Sequence, residues 1–313
     1  MSSTSSPIGD FGEYVWFDGE LIPFHEAKIH VMTYSLHYGV GVFEGIRAYK
    51  THDGRTAIFR LKEHIDRLFE SAKIYKLEIP YTPEEVEKAI IDTVRTSKFE
   101  ECYIRPLVFL NITKLGVKPP SRKASLAIGV LRMGRYLGEA YTKGARVVTS
   151  AWRRIPPNSL PMNAKATGHY INSYLASVDA EVRGFDEALL LDIRGFVSEG
   201  PGQNIFIIKG GKAITPPLYA SVLPGITRET IKILLDRELG IDVFEDDISL
   251  GMLYSADEAF FTGTAAEVTP IVEVDNIKIG SGVPGPVTRA LQQLYDDVVR
   301  GKVARYRKCL TYI

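Results

Sequence analysis

The sequence predicts a two-domain α+β protein, and three observations support that prediction. The chain has 313 residues, which corresponds to about two domains at roughly 150 residues per domain. Hairpin patterns mix with amphipathic helical patterns at uneven spacing, which favours α+β domains over a doubly wound parallel sheet. The apolar runs stop in a polar segment near residue 134. We therefore expect a small N-terminal domain over 1–133, an interdomain segment at 134–142 and a large domain over 143–313.

The first domain is expected to contain hairpins and two helices. Asp18-Gly19 and Asp53-Gly54 each predict a tight two-residue turn between short strands. Thr82 and Glu85 form a capping-box pattern with a proline at the first helical position. The predicted strands are 14–17, 21–24, 45–49, 56–60, 102–111 and 125–131, and the predicted helices are 62–75 and 82–97.

The second domain alternates strands with three amphipathic helices. Gly184 and Gly240 stand where C-terminal caps of the first two helices belong, and Gly210-Gly211 predicts a turn. The predicted helices are 168–183, 227–239 and 286–300. The predicted strands are 146–152, 188–192, 204–208, 241–244, 258–262 and 268–274.

Composition argues against several classes of protein. Lys plus Arg total 38 and Asp plus Glu total 38, so no net charge attracts nucleic acid or an anionic membrane surface. No apolar run is long enough to span a bilayer. Two cysteines, Cys102 and Cys309, are too few for a disulfide framework or a cysteine-rich zinc site. Residues 1–10 are polar and rich in serine, so we expect no secretory signal and a cytoplasmic protein.

Two motif matches are rejected. The segment Gly280–Gly285 fits G-x-G-x-x-G, but Pro284 and Pro286 remove amides that would face a pyrophosphate. The spacing of His25 and His30 is one residue too long for H-E-x-x-H. We expect neither a dinucleotide site nor a metal site.

Two turns in the second domain predict an anion site. Leu223–Thr230 contains a Pro-Gly turn that leads directly into a helix, so the amides of Ile226 and Thr227 and the Thr227 hydroxyl face outward. A plain helix cap is the competing interpretation. Thr262–Ala266 is a second Gly/Thr turn at a strand end, and it raises the odds of a phosphate or carboxylate ligand.

Four charged residues are candidates for chemistry. Lys165 lies between two alanines, where desolvation would favour the neutral amine that Schiff-base formation needs, although a solvated lysine is the commoner case. Glu199 lies in a glycine-rich turn and is either a surface acid or the partner of a buried cation. Arg47 and Arg105 stand on strands with aromatic neighbours, and each requires an anion or solvent.

In order along nearly the whole chain, the sequence resembles the branched-chain amino acid aminotransferases, pyridoxal 5'-phosphate (PLP) enzymes of fold type IV, the D-amino-acid aminotransferase-like fold. The resemblance covers roughly residues 13–302. Eight matching stretches carry it: His37–Gly39 with Val42–Arg47, His64–Leu68, Tyr103–Pro106, Gly116–Pro120, Ala164–Ala166, Val197–Gly200, Leu223–Arg228 and Gly263–Pro270.

The resemblance implies a PLP-binding large domain. Lys165 would form the Schiff base with PLP and move the substrate proton. Glu199 would keep the pyridine nitrogen protonated, and Tyr170 would bind the ring hydroxyl. The residues implied in phosphate binding are Arg67, Ile226, Thr227 and Thr264.

The resemblance also implies transamination of L-leucine, L-isoleucine and L-valine with 2-oxoglutarate. Arg105 would pair with the side-chain carboxylate of glutamate, and Val117 would reach into the neighbouring subunit of a homodimer or larger homo-oligomer. The turn at Thr264, Ala265 and Ala266, with Tyr103, would hold the α-carboxylate. The other substrate-contacting residues implied are Tyr38, Phe43, Arg47, Tyr136 and Tyr170.

Five positions depart from the pattern typical of the family, and none removes a catalytic group. They are Arg132, Met133, Asn163, His169 and Gln203. Arg132 and Met133 replace a segment that usually has an aromatic residue, so the substrate range could be shifted. The alternatives are a D-amino-acid or R-amine transaminase, an aminodeoxychorismate lyase of the same fold, and a non-catalytic phosphate-binding protein.

Overall fold

The computed structural model describes residues 11–112 and 114–313. The expectation of no secretory signal concerns residues 1–10, which lie outside the described residues. The chain forms two compact units. The first consists of residues up to 134 together with 164–168 and 298–313, and the second of 135–163 and 169–297. None of the helices in the described ranges is both long and apolar enough to cross a membrane.

The first unit begins with the expected hairpin and contains two long helices. Its strands are β1 (Tyr14–Phe17), β2 (Glu20–Pro23), β3 (Gly41–Phe43), β4 (Ile46–Lys50), β5 (Thr56–Phe59), β6 (Cys102–Phe109) and β7 (Ser125–Leu131). Its helices are α1 (Tyr34–Tyr38), α2 (Leu61–Ile74) and α3 (Pro83–Ser97). The capping box at α3 is confirmed, because the Glu85 amide donates to Thr82 Oγ1 and the Thr82 amide donates to Glu85.

The second unit alternates helices and strands. Its strands are β8 (Ala145–Arg153), β9 (Glu187–Leu191), β10 (Val197–Glu199), β11 (Asn204–Lys209), β12 (Lys212–Thr215), β13 (Val243–Glu245), β14 (Glu258–Gly263), β15 (Glu267–Val274) and β16 (Ile277–Lys278). Its helices are α4 (Ala140–Lys143), α5 (Tyr170–Val182), α6 (Ile226–Arg237), α7 (Leu250–Tyr254) and α8 (Pro286–Val299), of which the last two residues belong to the first unit. Short 3₁₀ helices occur at Phe24–Glu26, Thr167–His169, Leu218–Ala220 and Ala304–Cys309.

The last strand, β17 (Leu310–Tyr312), completes the sheet of the first unit by pairing with β5. Within the described residues this sheet has the order β17-β5-β4-β6-β7-β1-β2, with β3 also paired to β6, and its pairs are antiparallel. Helices α2 and α3 bury their apolar faces in one core with the sheet, around Leu68, Ile90 and Ile104.

The sheet of the second unit is mixed. Its order among the described residues is β10-β9-β8-β15-β14-β11-β12-β13, with β16 on β15. The pairs β8–β9, β8–β15 and β12–β13 are parallel. Ala176 and Ala180 of α5 pack on Val148 and Leu190, and a larger core around Phe261 fills the other side. Both units are α+β, as the sequence predicts.

The predicted two-residue turn at Asp53-Gly54 is wrong. Strands β4 and β5 pair up to Lys50 and Thr56, so the connection spans residues 51–55. The Asp53 carboxylate accepts hydrogen bonds from Thr51 Oγ1 at 2.6 Å and from Arg55 Nη2 at 2.7 Å, and these bonds close the wider loop.

The compact units also assign two segments differently from the sequence analysis. Residues 164–168 and 298–313 belong to the first unit, whereas the sequence division placed both in the large domain. The reason is strand pairing over long chain distances, since Ala166 bridges Val42 and β17 pairs with β5.

Candidate active site

In the first unit, the backbone of Lys165 is fixed on both sides. Its amide donates to Ser71 Oγ of α2 at 3.0 Å, and its carbonyl accepts from the Phe43 amide of β3 at 3.0 Å. The neighbouring alanines, Ala164 and Ala166, are buried, while the lysine side chain is half-buried. Nζ lies 5.0 Å from the centroid of the Phe43 ring. The two hydrogen bonds fix the position of the Lys165 backbone. A lysine that acts as a nucleophile on a bound carbonyl group needs such a fixed position.

One face of α2 carries the groups next to Lys165. His64, Arg67 and Ser71 are spaced i, i+3 and i+7, so they lie on the same side of the helix. The first two contact the buried carboxylate of Glu44, which follows β3 directly. Arg67 donates from Nε to Oε1 at 2.7 Å and from Nη2 to Oε2 at 2.9 Å. His64 Nδ1 lies 2.7 Å from Oε2.

The charges in this cluster are set by mutual contact. Burial raises the pKa of Glu44, but the charge of Arg67 and the contact with His64 outweigh it and hold the pKa well below its usual range. Burial lowers the pKa of His64, against the opposing effect of Glu44, and the charges of Arg67 and Lys165 lower it further. At neutral pH the cluster therefore holds a carboxylate, a guanidinium and a neutral imidazole.

The predicted substrate residues Phe43, Tyr103 and Arg105 meet in the first unit. Arg105 Nη2 donates to the Tyr103 hydroxyl at 3.0 Å, and its guanidinium lies 4.6 Å from the centroid of the Phe43 ring. Position 45 must be glycine, because a Cβ there would lie 1.9 Å from the Tyr103 hydroxyl. The result is an aromatic surface with one exposed cation beside it.

The other candidates of this unit differ in exposure. Arg47 is buried, donates from Nη2 to the Met133 carbonyl at 3.4 Å and lies over the Tyr49 ring. Tyr38 is 40% exposed, and Val117 is 89% exposed. The Tyr34 hydroxyl donates to the Val117 carbonyl at 2.8 Å, which ties the loop at 114–119 to α1.

In the second unit, Glu199 ends β10 as a buried carboxylate with several donors. Arg154 donates from Nε to Oε1 at 2.8 Å. The Asn204 side-chain amide donates to Oε2 at 3.0 Å, and the Leu223 amide donates to the same oxygen at 3.1 Å. Of the two interpretations of Glu199, partner of a buried cation is confirmed and surface acid is wrong, since the side chain is 2% exposed.

The N-terminus of α6 has no side-chain cap, so the plain-cap interpretation of Thr227 is wrong. The helix begins at Ile226, and its N-cap is Gly225, which has no side chain that could cap the helix. A Cβ at Gly225 would lie 1.9 Å from Asn204 Oδ1, so the turn is packed against the Glu199 cluster. Thr227 is buried at this end. The dipole of a helix whose N-cap residue offers no capping side chain favours an anion at this end.

A different helix terminus shows why the G-x-G-x-x-G match is not an anion site. The Glu258 carboxylate accepts from the Val287 amide at 2.9 Å and the Thr288 amide at 2.7 Å, at the start of α8. The protein's own carboxylate thus satisfies these amides, and the rejection of that motif has a structural reason.

The second Gly/Thr turn connects β14 and β15. Gly263 pairs with Glu267, so Thr264, Ala265 and Ala266 form the connection. Within the described residues, the fully buried Thr262 hydroxyl has no hydrogen-bond partner. Thr262 is directly opposite Asn204 on β11, which places both side chains on one face of the sheet. An unpaired buried hydroxyl beside this cluster favours a polar ligand atom.

The remaining candidates of the second unit are Tyr170, half-buried at the first residue of α5, and Tyr136, which is 51% exposed. Sequence reasoning did not single out Glu44, His64, Arg154 or Asn204. Glu44 and His64 lie inside two of the stretches that carry the family resemblance, and the i, i+3 spacing of His64 and Arg67 could have identified the pair. No local pattern distinguishes Arg154, whose partner is 45 residues away.

The chain is similar to known proteins in both sequence and structure. The sequence model of the amino-transferase class IV family matches residues 41–274. The branched-chain-amino-acid aminotransferase of Pseudomonas aeruginosa is 48% identical over 307 residues, covering 98% of this chain and 99% of its own. The crystal structure of the Escherichia coli branched-chain amino acid aminotransferase superposes with a TM-score of 0.93 at 42% identity, covering 96% and 98% of the two chains. The branched-chain amino acid aminotransferase of Thermobaculum terrenum in its PLP-form gives a TM-score of 0.91 at 36% identity, covering 97% of this chain and 99% of its own.

Proposed function

The chain belongs to the class IV aminotransferase family, and on that premise we propose that it transaminates L-leucine, L-isoleucine and L-valine with 2-oxoglutarate. The products are the branched 2-oxo acids and L-glutamate. The observation that carries the proposal is Lys165, half-buried and fixed by hydrogen bonds from both of its backbone groups. Relatives named branched-chain-amino-acid aminotransferase match nearly the whole chain, which favours this activity over the D-amino-acid transaminase and lyase alternatives.

The residues present fit PLP as the cofactor. The second unit offers an uncapped helix N-terminus suited to a phosphate, a buried carboxylate suited to a protonated ring nitrogen, and the unpaired Thr262 hydroxyl. When bound, PLP supplies a ring that withdraws electrons from the substrate Cα. We assign the phosphate to Arg67, Thr264, the amides of Ile226 and Thr227, and the Thr227 hydroxyl.

Lys165 and Glu199 have distinct proposed roles. Lys165 Nζ would hold the cofactor and would move the proton at the substrate Cα. Glu199, as a carboxylate, would keep a proton on the ring nitrogen of the cofactor. Arg154 and Asn204 fix the orientation of that carboxylate. Tyr170 donates to the ring hydroxyl.

The surface formed by Phe43, Tyr103 and Arg105 suits a substrate pair of opposite polarity. The aromatic rings pack against a branched aliphatic side chain, and Arg105 pairs with the side-chain carboxylate of glutamate. Its stacked position on Phe43 keeps the guanidinium at the edge of the apolar surface when leucine is bound. Tyr38, Arg47 and Tyr136 complete the proposed substrate contacts, and the turn at 264–266 holds the α-carboxylate.

We extend the proposal to a homodimer or a larger homo-oligomer in the cytoplasm. Apolar side chains of the first unit are unusually exposed: Val31 by 73%, Leu36 by 62% and Val117 by 89%. Such a surface is typical of an interface between subunits, and Val117 is the residue we assign to the neighbouring subunit's pocket. The cysteines Cys102 and Cys309 are unpaired, which fits a reducing compartment.

A substrate comparison tests the proposed activity. Purified protein with PLP is given 2-oxoglutarate together with L-leucine, L-valine or D-alanine in separate reactions, and both L-glutamate and D-glutamate are measured. We expect L-glutamate from both L-amino acids and none from D-alanine. Activity with D-alanine alone would assign the chain to the D-amino-acid branch, and pyruvate release from aminodeoxychorismate would assign it to the lyases.

A further inference from the structure

Glu44 is a buried acid with more donors than a structural ion pair needs. Its side chain is fully buried. It accepts from Arg67 through two nitrogens, from His64 Nδ1 and from the Gly45 amide at 3.2 Å. Since burial of an ion pair costs about as much free energy as the pair gains, stability alone is a weak reason for this arrangement. The arrangement does fix the orientation of the Arg67 side chain.

The orientation of the Arg67 guanidinium is set by its contacts with Glu44. Because Nε and Nη2 of Arg67 both bind the same carboxylate, the plane of the guanidinium is set. His64, as a neutral imidazole, donates its Nδ1 proton to Glu44 and holds the carboxylate from a second direction. On the same helix face, Ser71 Oγ accepts a hydrogen bond from the Lys165 amide.

We propose that Glu44 is a positioning residue that holds Arg67 in the orientation in which it binds the phosphate of the cofactor. This inference rests on the proposed function, because it requires PLP and the assignment of Arg67 to its phosphate. In this role Glu44 acts through Arg67, whose guanidinium it contacts with both carboxylate oxygens. It acts by balancing the charge of Arg67 and fixing its direction before the phosphate arrives, so that binding costs little reorganisation.

The test compares two forms of the cofactor. PLP and pyridoxal differ by the phosphate, so the ratio of their Kd values for the cofactor-free full-length protein isolates the phosphate contribution. This ratio cancels a general loss of stability. We expect Arg67→Ala and Glu44→Gln each to lower the pyridoxal-to-PLP ratio about tenfold or more, since a charged hydrogen bond is lost or misdirected. Glu44→Gln should have little further effect in the Arg67→Ala protein.

Two further variants make the test selective. Glu63→Gln removes another acid of α2, which pairs with Arg60 at 2.8 Å and is 40% exposed, and it should leave the ratio unchanged. Glu44→Asp keeps the charge but shortens the side chain, and it should also lower the ratio, which covers the case that Glu44→Gln does not fold.

The outcomes separate the two proposals. If Arg67→Ala lowers the ratio and the Glu44 variants keep the wild-type value, the positioning inference is overturned and the proposed function stands. If Arg67→Ala also keeps the wild-type ratio, Arg67 does not bind the phosphate and the inference is overturned. If the unmodified protein does not bind PLP, the proposed function fails as well.

Discussion

Gln203 donates from its side-chain amide to the Glu187 carboxylate at 3.0 Å, and both side chains are buried. The side-chain oxygen Oε1 of Gln203 accepts a hydrogen bond from the Gly202 amide at 3.1 Å. The resemblance to the family leads us to expect a glutamate at this position, where this chain has glutamine. With a glutamate at position 203, two buried carboxyl groups would face each other. The glutamine instead gives the Glu187 carboxylate a hydrogen-bond donor.

A pH dependence follows for Gln203→Glu. Burial raises the pKa of Glu187 despite hydrogen bonds from Gln203, the Ala188 amide and Ser177. A carboxyl group with a raised pKa keeps a proton in the folded protein that the unfolded chain has released, so stability falls as the pH rises above about 4.5. A second carboxyl group strengthens this effect. We expect the stability deficit of the variant to grow by about 2 kcal/mol between pH 5.5 and 8.

The control is Gln293→Glu on α8. Gln293 also donates to a carboxylate, that of Asp297 at 3.2 Å, but it is exposed. Urea unfolding of both variants and the wild type at the two pH values measures the difference. If the stability deficit of Gln203→Glu is the same at both pH values, the two carboxyl groups do not keep a proton in the folded protein, and the explanation is contradicted.

Removal of the Glu199 charge should slow the reaction without preventing cofactor binding. In Glu199→Gln the amide still packs, but it no longer holds a proton on the ring nitrogen. We expect kcat with L-leucine to fall about a hundredfold or more, by analogy with the loss of other electrostatic contacts in active sites. Stability should also fall by about 3 kcal/mol, because Arg154 loses its buried partner.

The matched control is Glu229→Gln, an exposed acid of α6 that pairs with Lys232 at 3.0 Å. It should leave kcat unchanged. The measurement is kcat together with the amount of bound PLP. A Glu199→Gln enzyme with normal kcat would remove Glu199 from the proposed chemistry.

Arg105→Ala should separate the two substrate classes. The guanidinium is lost, whereas the apolar surface around Phe43 remains, so binding of glutamate and 2-oxoglutarate weakens more than binding of leucine. We expect KM for the two dicarboxylates to rise about tenfold or more and KM for leucine to change less than about threefold.

Arg95→Ala provides the comparison, because Arg95 is also an exposed arginine of the first unit and pairs with Asp92 at 3.1 Å. It should leave the ratio of the two KM values unchanged. Equal losses for leucine and glutamate in Arg105→Ala would show that the arginine has a structural role.

Lys165→Ala should abolish transamination while the protein stays folded. The backbone bonds to Ser71 and Phe43 do not depend on the side chain, so the local structure persists. Circular dichroism and thermal unfolding check the fold, and L-glutamate production checks activity. Appreciable turnover would disprove the assignment of Lys165 as the Schiff-base lysine.

The sequence predicted the long, strongly patterned elements of the fold. Helices α2, α3 and α6 and strands β6, β7 and β8 lie within two residues of their predicted bounds. The missed strands β3, β10, β12, β16 and β17 have two to four residues, too few to show alternation. They form because long-range partners stabilise them, as β5 does for β17.

The candidate residues of the proposed site differ in how clearly the sequence marks them, for a related reason. Residues in recognisable turns and motifs, such as Lys165 and Thr227, were identified from local sequence. The residues that hold them were missed, because their significance comes from contacts between distant segments. Arg154 reaches Glu199 over 45 residues, and Glu44 reaches Arg67 over 23.

The most direct test of the central claim is a visible-absorbance titration of the purified protein with L-leucine. We expect the absorption band of lysine-bound PLP, converted by L-leucine to the spectrum of the pyridoxamine form and restored by 2-oxoglutarate. A protein that shows the band but does not respond to L-leucine would contradict the branched-chain assignment. A colourless protein that PLP cannot reconstitute would contradict the account of Lys165 altogether.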